Sequence, residues 1–597
     1  MLTLVITIIS GGKINFDTFS KGKLPSDTEK LQREMGKTVS NQGGKLLTNK
    51  QFWHSHYPEG IPTSLDLPGV SLYHFLQRSA EKYPVNPAIV FLNQEITYVE
   101  LKERVDRIAT ALYDLGIKKG NRIAILLPNC PQLVISYYAL LRIGAVGVMV
   151  NPMYTERELL YLLKDSGAET IILLEQLKPK VMKVLPQTAI TTVISTEIQE
   201  YLDLGNDLNQ LSKTCLSTEK EAYSFEQLLV KYLPALPEIN LNVEKDIALL
   251  QYTGGTTGIV KGAMLTHGNL SSNVVQTRYW LDSCREGMER FFCVLPFFHV
   301  FAMTTCMNLS VYLASTMILI PRLEAMNLLK QIEFYRPTVF QGVPSLYVAV
   351  IANPDVRKYD LSSVRVCLSG GAPLPAEVQQ KFEAVTGAKL VEGYGLTEAS
   401  PVTHCNPVNE KIDGSIGLPI PNTEFKIVDL ETGTRELLPG EIGELCIRGP
   451  QVMKGYWNMP EETEKVLREG WLYTGDIAWM DEKGFTYIVD RKKDMVISMG
   501  YNIYPREVEE VLYEHPKVKE AAVIGIRDRS RGEVLKAFVV IKEGEQAKKD
   551  EIIKFCRQQL TQYKVPKKVE FRTELPKSMV GKILRRVLIE EETNREK

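Results

Sequence analysis

From Ile123 to Leu127 the chain is apolar without a break, and it stops at Pro128. So short a continuous run suits a strand covered on both faces, as in a parallel sheet, better than an alternating strand with one wet face. Helical stripes precede it. Leu72, Phe75, Leu76 and Ala80 form one, and Leu101, Val105, Ile108, Ala109 and Leu112 form a second that Gly116 stops. Leu133 to Val150 is longer, but Arg142, Gly144 and Gly147 interrupt it, which predicts a buried helix running into a buried strand rather than a membrane span. This alternation continues past residue 390 and predicts an α/β fold with a large, multi-sheet, layered N-terminal body.

At 597 residues the chain exceeds what one compact core can organise. Residues 1–48 are rich in Lys, Gly, Ser, Asp and Asn without a sustained period, and are expected to be a disordered extension, with Met35 an alternative start. The large domain is expected over 49–490. Asp203 to Lys245, more polar and irregular, is expected to be a surface excursion within it. A charged stretch, Asp490-Arg-Lys-Lys-Asp494, supplies a hinge over 491–494. Beyond it, 495–597 carries its own pattern and predicts a small, mobile α+β domain. Pro505 opens a helix with Val508, Val511 and Leu512 on one face, strands follow at Ala521 to Ile526 and Ala537 to Ile541, and Ile552, Ile553, Cys556 and Leu560 make another helical face.

Lys plus Arg, 71, nearly balances Asp plus Glu, 72, so no net field recommends nucleic acid as a partner. The nine cysteines are scattered, without a C-x-x-C pair, and read as reduced packing residues rather than a disulfide frame or a zinc site. Leu2 to Ile9 is too short for a membrane span and lacks a preceding Lys or Arg, so a cytoplasmic location is expected.

Chemistry concentrates in Tyr252-Thr-Gly-Gly-Thr-Thr-Gly-Ile-Val-Lys261. Bare backbone N–H groups at Gly254, Gly255 and Gly258, hydroxyls at Thr253, Thr256 and Thr257, and the Lys261 ammonium suit a phosphate cradle. Val260 and Gly262 flank the lysine, so the Gly-Lys-Ser/Thr order of the common NTPase loop is absent.

Further segments follow in order: Ser369-Gly-Gly-Ala-Pro-Leu374, Glu392-Gly-Tyr-Gly-Leu-Thr-Glu398, Trp471-Leu-Tyr-Thr-Gly-Asp476, Asp490 to Asp494 continuing to Gly500-Tyr-Asn-Ile-Tyr-Pro505, and Pro576-Lys-Ser-Met-Val-Gly-Lys582. In order and spacing they resemble the adenylate-forming superfamily of acyl-CoA synthetases, luciferases and peptide-synthetase adenylation domains, over roughly residues 60 to 590. The resemblance implies ATP, Mg2+ and CoA. It implies that Thr253 to Lys261 holds the β- and γ-phosphates, that Glu398 binds magnesium, and that Thr397 meets the α-phosphate and the reacting carboxylate. Gly370, Gly371, Ala372 and Pro373 would pass along adenine, and Tyr394 would stack on it, its ring face left open by Gly393 and Gly395. Asp476 and Arg491 would meet the ribose hydroxyls. Lys582 would hold the carboxylate and α-phosphate during adenylation, and Lys493 would be the hinge about which Gly500 and Tyr501 later swing toward a pantetheine channel.

Leu295-Pro-Phe-Phe-His-Val-Phe-Ala-Met303 offers an aromatic-lined wall for the acid, with His299 near its carboxylate and Phe301 and Met303 alongside; Gln341 to Tyr347, including Gly342, would face it. No Asp suited to a substrate amine is evident, and Gly470 to Lys493 is similar to the signature of fatty acyl-CoA synthetases. The resemblance therefore implies ATP-dependent conversion of a long-chain fatty acid to acyl-AMP with release of pyrophosphate, then transfer to CoA, as in bacterial long-chain fatty acid–CoA ligases. The alternatives are an aryl- or medium-chain acyl-CoA ligase, a fatty acyl-AMP ligase serving a carrier protein, and a non-catalytic scaffold of the same fold. Transient contact with the inner membrane face is also expected, since free fatty acids partition into bilayers. The sequence gives no sign of oligomeric state.

Overall fold

The computed structural model describes residues 51–198, 222–253, 260–322, 324, 327–498, 501–528, 532–578 and 583–595. The N-terminal extension, with Met35, lies outside them. Of a first unit, Met1–His54, only residues 51–54 are described, and in it the Phe52 and Trp53 rings meet edge to face at 5.5 Å. Ser55–Lys597 forms the other.

Arg122–Leu126 is the covered strand expected from the apolar run, its last four residues buried. It lies between Thr170–Leu174 and Val146–Met149 in a seven-stranded sheet that is parallel except at one edge. That edge is the antiparallel pair Ile247–Thr253 and Lys261–Thr266. The apolar segment after Pro128 folds as helix Pro131–Ile143, Gly144 in the left-handed region, then Val146–Met149. Every residue of that helix except Arg142 is buried, and the Arg142 guanidinium lies 5.0 Å from the Tyr73 ring.

A nine-stranded sheet carries Lys389–Gly395, Val366–Ser369, Val339–Gly342 and Arg290–Cys293 side by side and parallel. The two helical stripes fold as Leu72–Lys82 and Tyr98–Asp114, the second opened by a capping box between Thr97 and Glu100. A five-stranded sheet contains Trp471–Met480 paired with Thr486–Arg491.

The chain is thus mixed α/β, with a large N-terminal domain and a smaller C-terminal one. The smaller one is a five-stranded sheet containing Val496–Ser498, Val518–Asp528 and Gly532–Ile541, against which helices Pro505–Glu514 and Lys549–Gln559 pack Val508, Leu512, Ile552 and Cys556. Its long strands exceed the apolar cores that announced them, because backbone pairing runs on through polar residues from Val518↔Ile541 to Asp528↔Gly532. Leu560 caps the helix that it was expected to continue. The Asp203 to Lys245 excursion also needs correcting. Among its described residues, Ala222–Ser224 adds a parallel strand to Thr192–Thr196, and helix Phe225–Lys231 buries Phe225, Leu228 and Leu229. Amphipathic pieces this short were masked by their polar surroundings. No helix among the described residues is long and apolar enough to cross a membrane, and the eight described cysteines are all buried free thiols.

Candidate active site

Four neighbouring parallel strands deliver their following loops to one edge of the nine-stranded sheet, and open α/β sheets bind ligands at the carboxyl ends of their strands. Gly342 pairs with Ser369 and Ser369 with Glu392, so Val343 and Gly370 leave the sheet together, while the neighbouring strand runs on to Gly395, Gly393 pairing with Cys405. The Gly370 N–H donates to the Gly342 carbonyl at 3.1 Å. A Cβ on Gly370 would sit 2.9 Å from the Phe301 ring, and one on Gly342 would sit 2.8 Å from the Tyr347 ring. The expected acid wall and the expected adenine turn therefore touch through Phe301 and Gly370. Gly371 has φ +78°, a left-handed conformation suited to glycine. Gly371 and Pro373 are exposed and Ala372 half-buried. His299 is half-buried and accepts at Nδ1 from the Phe301 N–H at 3.3 Å, whereas Met303 is fully buried.

At the neighbouring sheet, Thr253 pairs with Lys261, so the two ends of the phosphate-loop candidate are stapled together. Gly254, Gly255, Thr256, Thr257 and Gly258 lie outside the described residues. A clamp runs beside this hairpin. Met264 N–H donates to the Gly455 carbonyl at 2.9 Å, Trp457 N–H to Gly262 at 2.8 Å, and Met453 N–H to Glu398 at 2.8 Å. It presents Tyr456 between two expected site residues. The Lys261 ammonium lies 5.0 Å from the Tyr456 ring, and the Tyr456 hydroxyl donates to Glu398 Oε1 at 2.7 Å. Lys261 Nζ also meets Glu462 Oε2 at 2.5 Å.

Glu398 sits with Thr397 in a short turn, Thr397–Ala399. Tyr456 occupies only one of its carboxylate oxygens, and among the described residues no cluster of three or more His, Cys, Asp or Glu is placed to cage a metal. One carboxylate fits Mg2+, which keeps several waters and shares oxygens with substrate phosphates.

Tyr394 is held end-on. Its hydroxyl donates to Asp476 Oδ2 at 2.5 Å, and Arg491 Nε lies 3.0 Å from Asp476 Oδ1, the two residues paired across adjacent strands. The glycines beside Tyr394 have a packing reason that the sequence did not reveal. A Cβ on Gly395 would fall 2.1 Å from the Pro401 carbonyl oxygen, and one on Gly393 2.7 Å from Leu368. Glu392, almost buried, is pushed by burial up to about 8 despite the nearby Arg506. Burial pushes His404, whose ring meets Tyr394 edge-on at 6.2 Å, down to about 3.

Lys493 is exposed. Beside it, Asp490 and Arg585 anchor a charge network. Asp490 accepts from the N–H groups of Arg491 at 2.7 Å and Arg506 at 2.8 Å. The Arg585 guanidinium spans Asp490 at 3.4 Å, Asp494 at 3.1 Å and Glu509 at 2.5 Å. Gly500 and Lys582 lie outside the described residues, and the exposed Tyr501 stacks on Tyr563 at 4.6 Å. Tyr456, Glu462 and Arg585 were not foreseen. Only Arg585 carried a signal, its position three residues after Lys582.

The AMP-binding enzyme family matches residues 76–457, and the AMP-binding enzyme C-terminal domain matches 507–582. A long-chain-fatty-acid–CoA ligase of Bacillus subtilis (strain 168) is 48% identical over 555 residues, covering 92% of this chain and 99% of its own. One of Escherichia coli O157:H7 is 41% identical over 560 residues, 91% of this chain and 98% of its own. Among solved structures, an anthranilate CoA ligase in complex with anthranoyl-AMP superposes with TM-score 0.79 at 26% identity, covering 89% of this chain and 99% of that one.

Proposed function

The chain belongs to the AMP-binding enzyme family, and from that premise we propose that it converts a long-chain fatty acid and ATP to acyl-AMP and pyrophosphate, then transfers the acyl group to CoA. The observation that carries this is the near full-length likeness to the Bacillus subtilis long-chain-fatty-acid–CoA ligase. Lys261 beside its stapled loop supports charge neutralisation on the β- and γ-phosphates as pyrophosphate forms. Mg2+, held through Glu398, would supply further charge neutralisation on the phosphates. Asp476 can still accept from ribose hydroxyls, because a carboxylate offers about four lone-pair sites and Tyr394 and Arg491 use two. Holding the Tyr394 hydroxyl on Asp476 fixes the ring that is to meet adenine, along the turn from Gly370 to Pro373.

Thr397 and Lys582 are assigned to the α-phosphate and the reacting carboxylate. His299, Phe301, Met303 and Gly342 are assigned to the acid pocket, with Phe301 closing against Gly370 and Met303 packing behind. Residues 49–490 act as the large domain, 491–494 as the hinge through Lys493, and 495–597 as the small domain that exchanges Lys582 for Gly500 and Tyr501 between the two steps. Attachment to a membrane surface would be transient and peripheral.

Incubating the purified protein with ATP, Mg2+, CoA and a panel of long-chain, medium-chain, aromatic and amino acids tests the assignment. Thioester should form fastest with long-chain fatty acids. Preference for an aromatic acid, or AMP release that ignores CoA, would replace it with one of the alternatives.

A further inference from the structure

Lys261 has a carboxylate partner that the adenylation scheme leaves unused. Glu462 Oε2 lies 2.5 Å from its ammonium, and the other Glu462 oxygen is bound by Lys465 one turn along helix Pro460–Val466. Lys261 is well shielded, its side chain 15% exposed, whereas Glu462 is 34% exposed and Lys465 65%. The carboxylate thus bridges an inner cation and an outer one. The start of its helix is fixed, because Thr463 Oγ1 accepts from the Tyr456 N–H at 2.9 Å and donates to the Met459 carbonyl at 2.9 Å. The same Tyr456 underlies Lys261 and binds Glu398. Both lysines hold the Glu462 carboxyl down to about 2, so it is charged throughout the physiological range.

Triphosphate oxygens and the Glu462 carboxylate carry the same sign and want the same ammonium. We propose that Glu462 is a positioning residue that contends with the phosphates of ATP for Lys261, and that Lys465 draws the carboxylate outward when they arrive. The inference rests on the assignment of Lys261 to phosphate. Its consequence is a tuned site: Glu462 weakens ATP binding and, by returning to Lys261, favours departure of pyrophosphate. Lys465 already binds the other carboxylate oxygen, so the exchange needs only a rotation of the carboxylate toward a partner it holds.

Calorimetric binding of Mg-ATP to the full-length wild type, Glu462→Gln, Glu462→Asp and Lys465→Ala tests it, with melting curves to confirm that each is folded. Glu462→Gln should bind ATP roughly three- to tenfold more tightly, the range expected for removing one like charge at a partly solvated site. Lys465→Ala should shift affinity the opposite way, since nothing then pulls Glu462 outward, and Glu462→Asp should lie nearer wild type. Added salt should narrow the differences. Pyrophosphate inhibition should tighten in Glu462→Gln in step with ATP. Equal ATP affinity in wild type and Glu462→Gln, or shifts of one sign in both Glu462→Gln and Lys465→Ala, overturns the proposal while leaving acyl adenylation standing. Absence of fatty-acid-dependent pyrophosphate exchange in a wild type that binds ATP counts against the proposed function instead.

Discussion

Glu392 is a carboxyl group in a place that favours its neutral form. With its folded pKa raised to about 8, the folded chain retains a proton that the unfolded chain has lost, so stability is full below about pH 4.5 and drains as pH rises through 8. At pH 7 that difference is on the order of 3 kcal/mol. Glu392→Gln should therefore leave the melting temperature near wild type at pH 5 and raise it progressively up to about pH 8, as melting curves across pH would record. A second change at this scale concerns Gly395. Its missing Cβ makes room for the Pro401 carbonyl, so Gly395→Ala should displace Tyr394 and reduce acid-dependent exchange at least tenfold while circular dichroism stays close to wild type. Individual roles such as these were only half legible in the sequence. The glycines announced a special place, but Gly393 and Gly395 reflect contacts with Leu368 and Pro401, partners that no local pattern contains. Tyr456 and Glu462 gave no sign at all, since an aromatic and a carboxylate near a Pro-Glu-Glu helix start look like ordinary surface.

Elements were more legible than residues wherever an apolar period was strong. Helix Pro131–Ile143 and strand Val146–Met149 followed directly from a run punctuated by glycine, and helix Pro505–Glu514 from its proline and its apolar face. Ties between elements were not, because they are made by charges far apart in sequence. Helix Arg585–Arg595 is fastened at its first residue to the junction strand through Asp490, to Asp494, and to helix Pro505–Glu514 through Glu509. Removing one member of a largely buried charge network strands the others, and such losses are about 3–5 kcal/mol. Arg585→Ala should expose the amides of this helix and of Pro505–Glu514 to faster hydrogen exchange, leaving those of the seven-stranded sheet protected. Because this residue follows Lys582 so closely, acyl-AMP formation should also slow.

At the scale of the whole molecule, the layered α/β body and the order of the motifs were open to sequence reading, because burial on two faces and a donor-rich loop each leave a compositional mark. How distant segments are joined was not. Lys261, Tyr456 and Glu398 are linked across nearly two hundred residues by one ring and one hydroxyl. Division of labour across the hinge predicts that Lys582→Ala abolishes acyl-AMP formation yet largely spares thioester formation from supplied acyl-AMP and CoA; equal loss of both steps would dissolve that division. The claim beneath all of this is that the carboxylate is activated on the enzyme before any thiol takes part. Exchange of labelled pyrophosphate into ATP, driven by palmitate with Mg2+ and without CoA, measures that step alone. Exchange that depends on palmitate and proceeds in the absence of CoA is the predicted result, and exchange that begins only once CoA is added would contradict it.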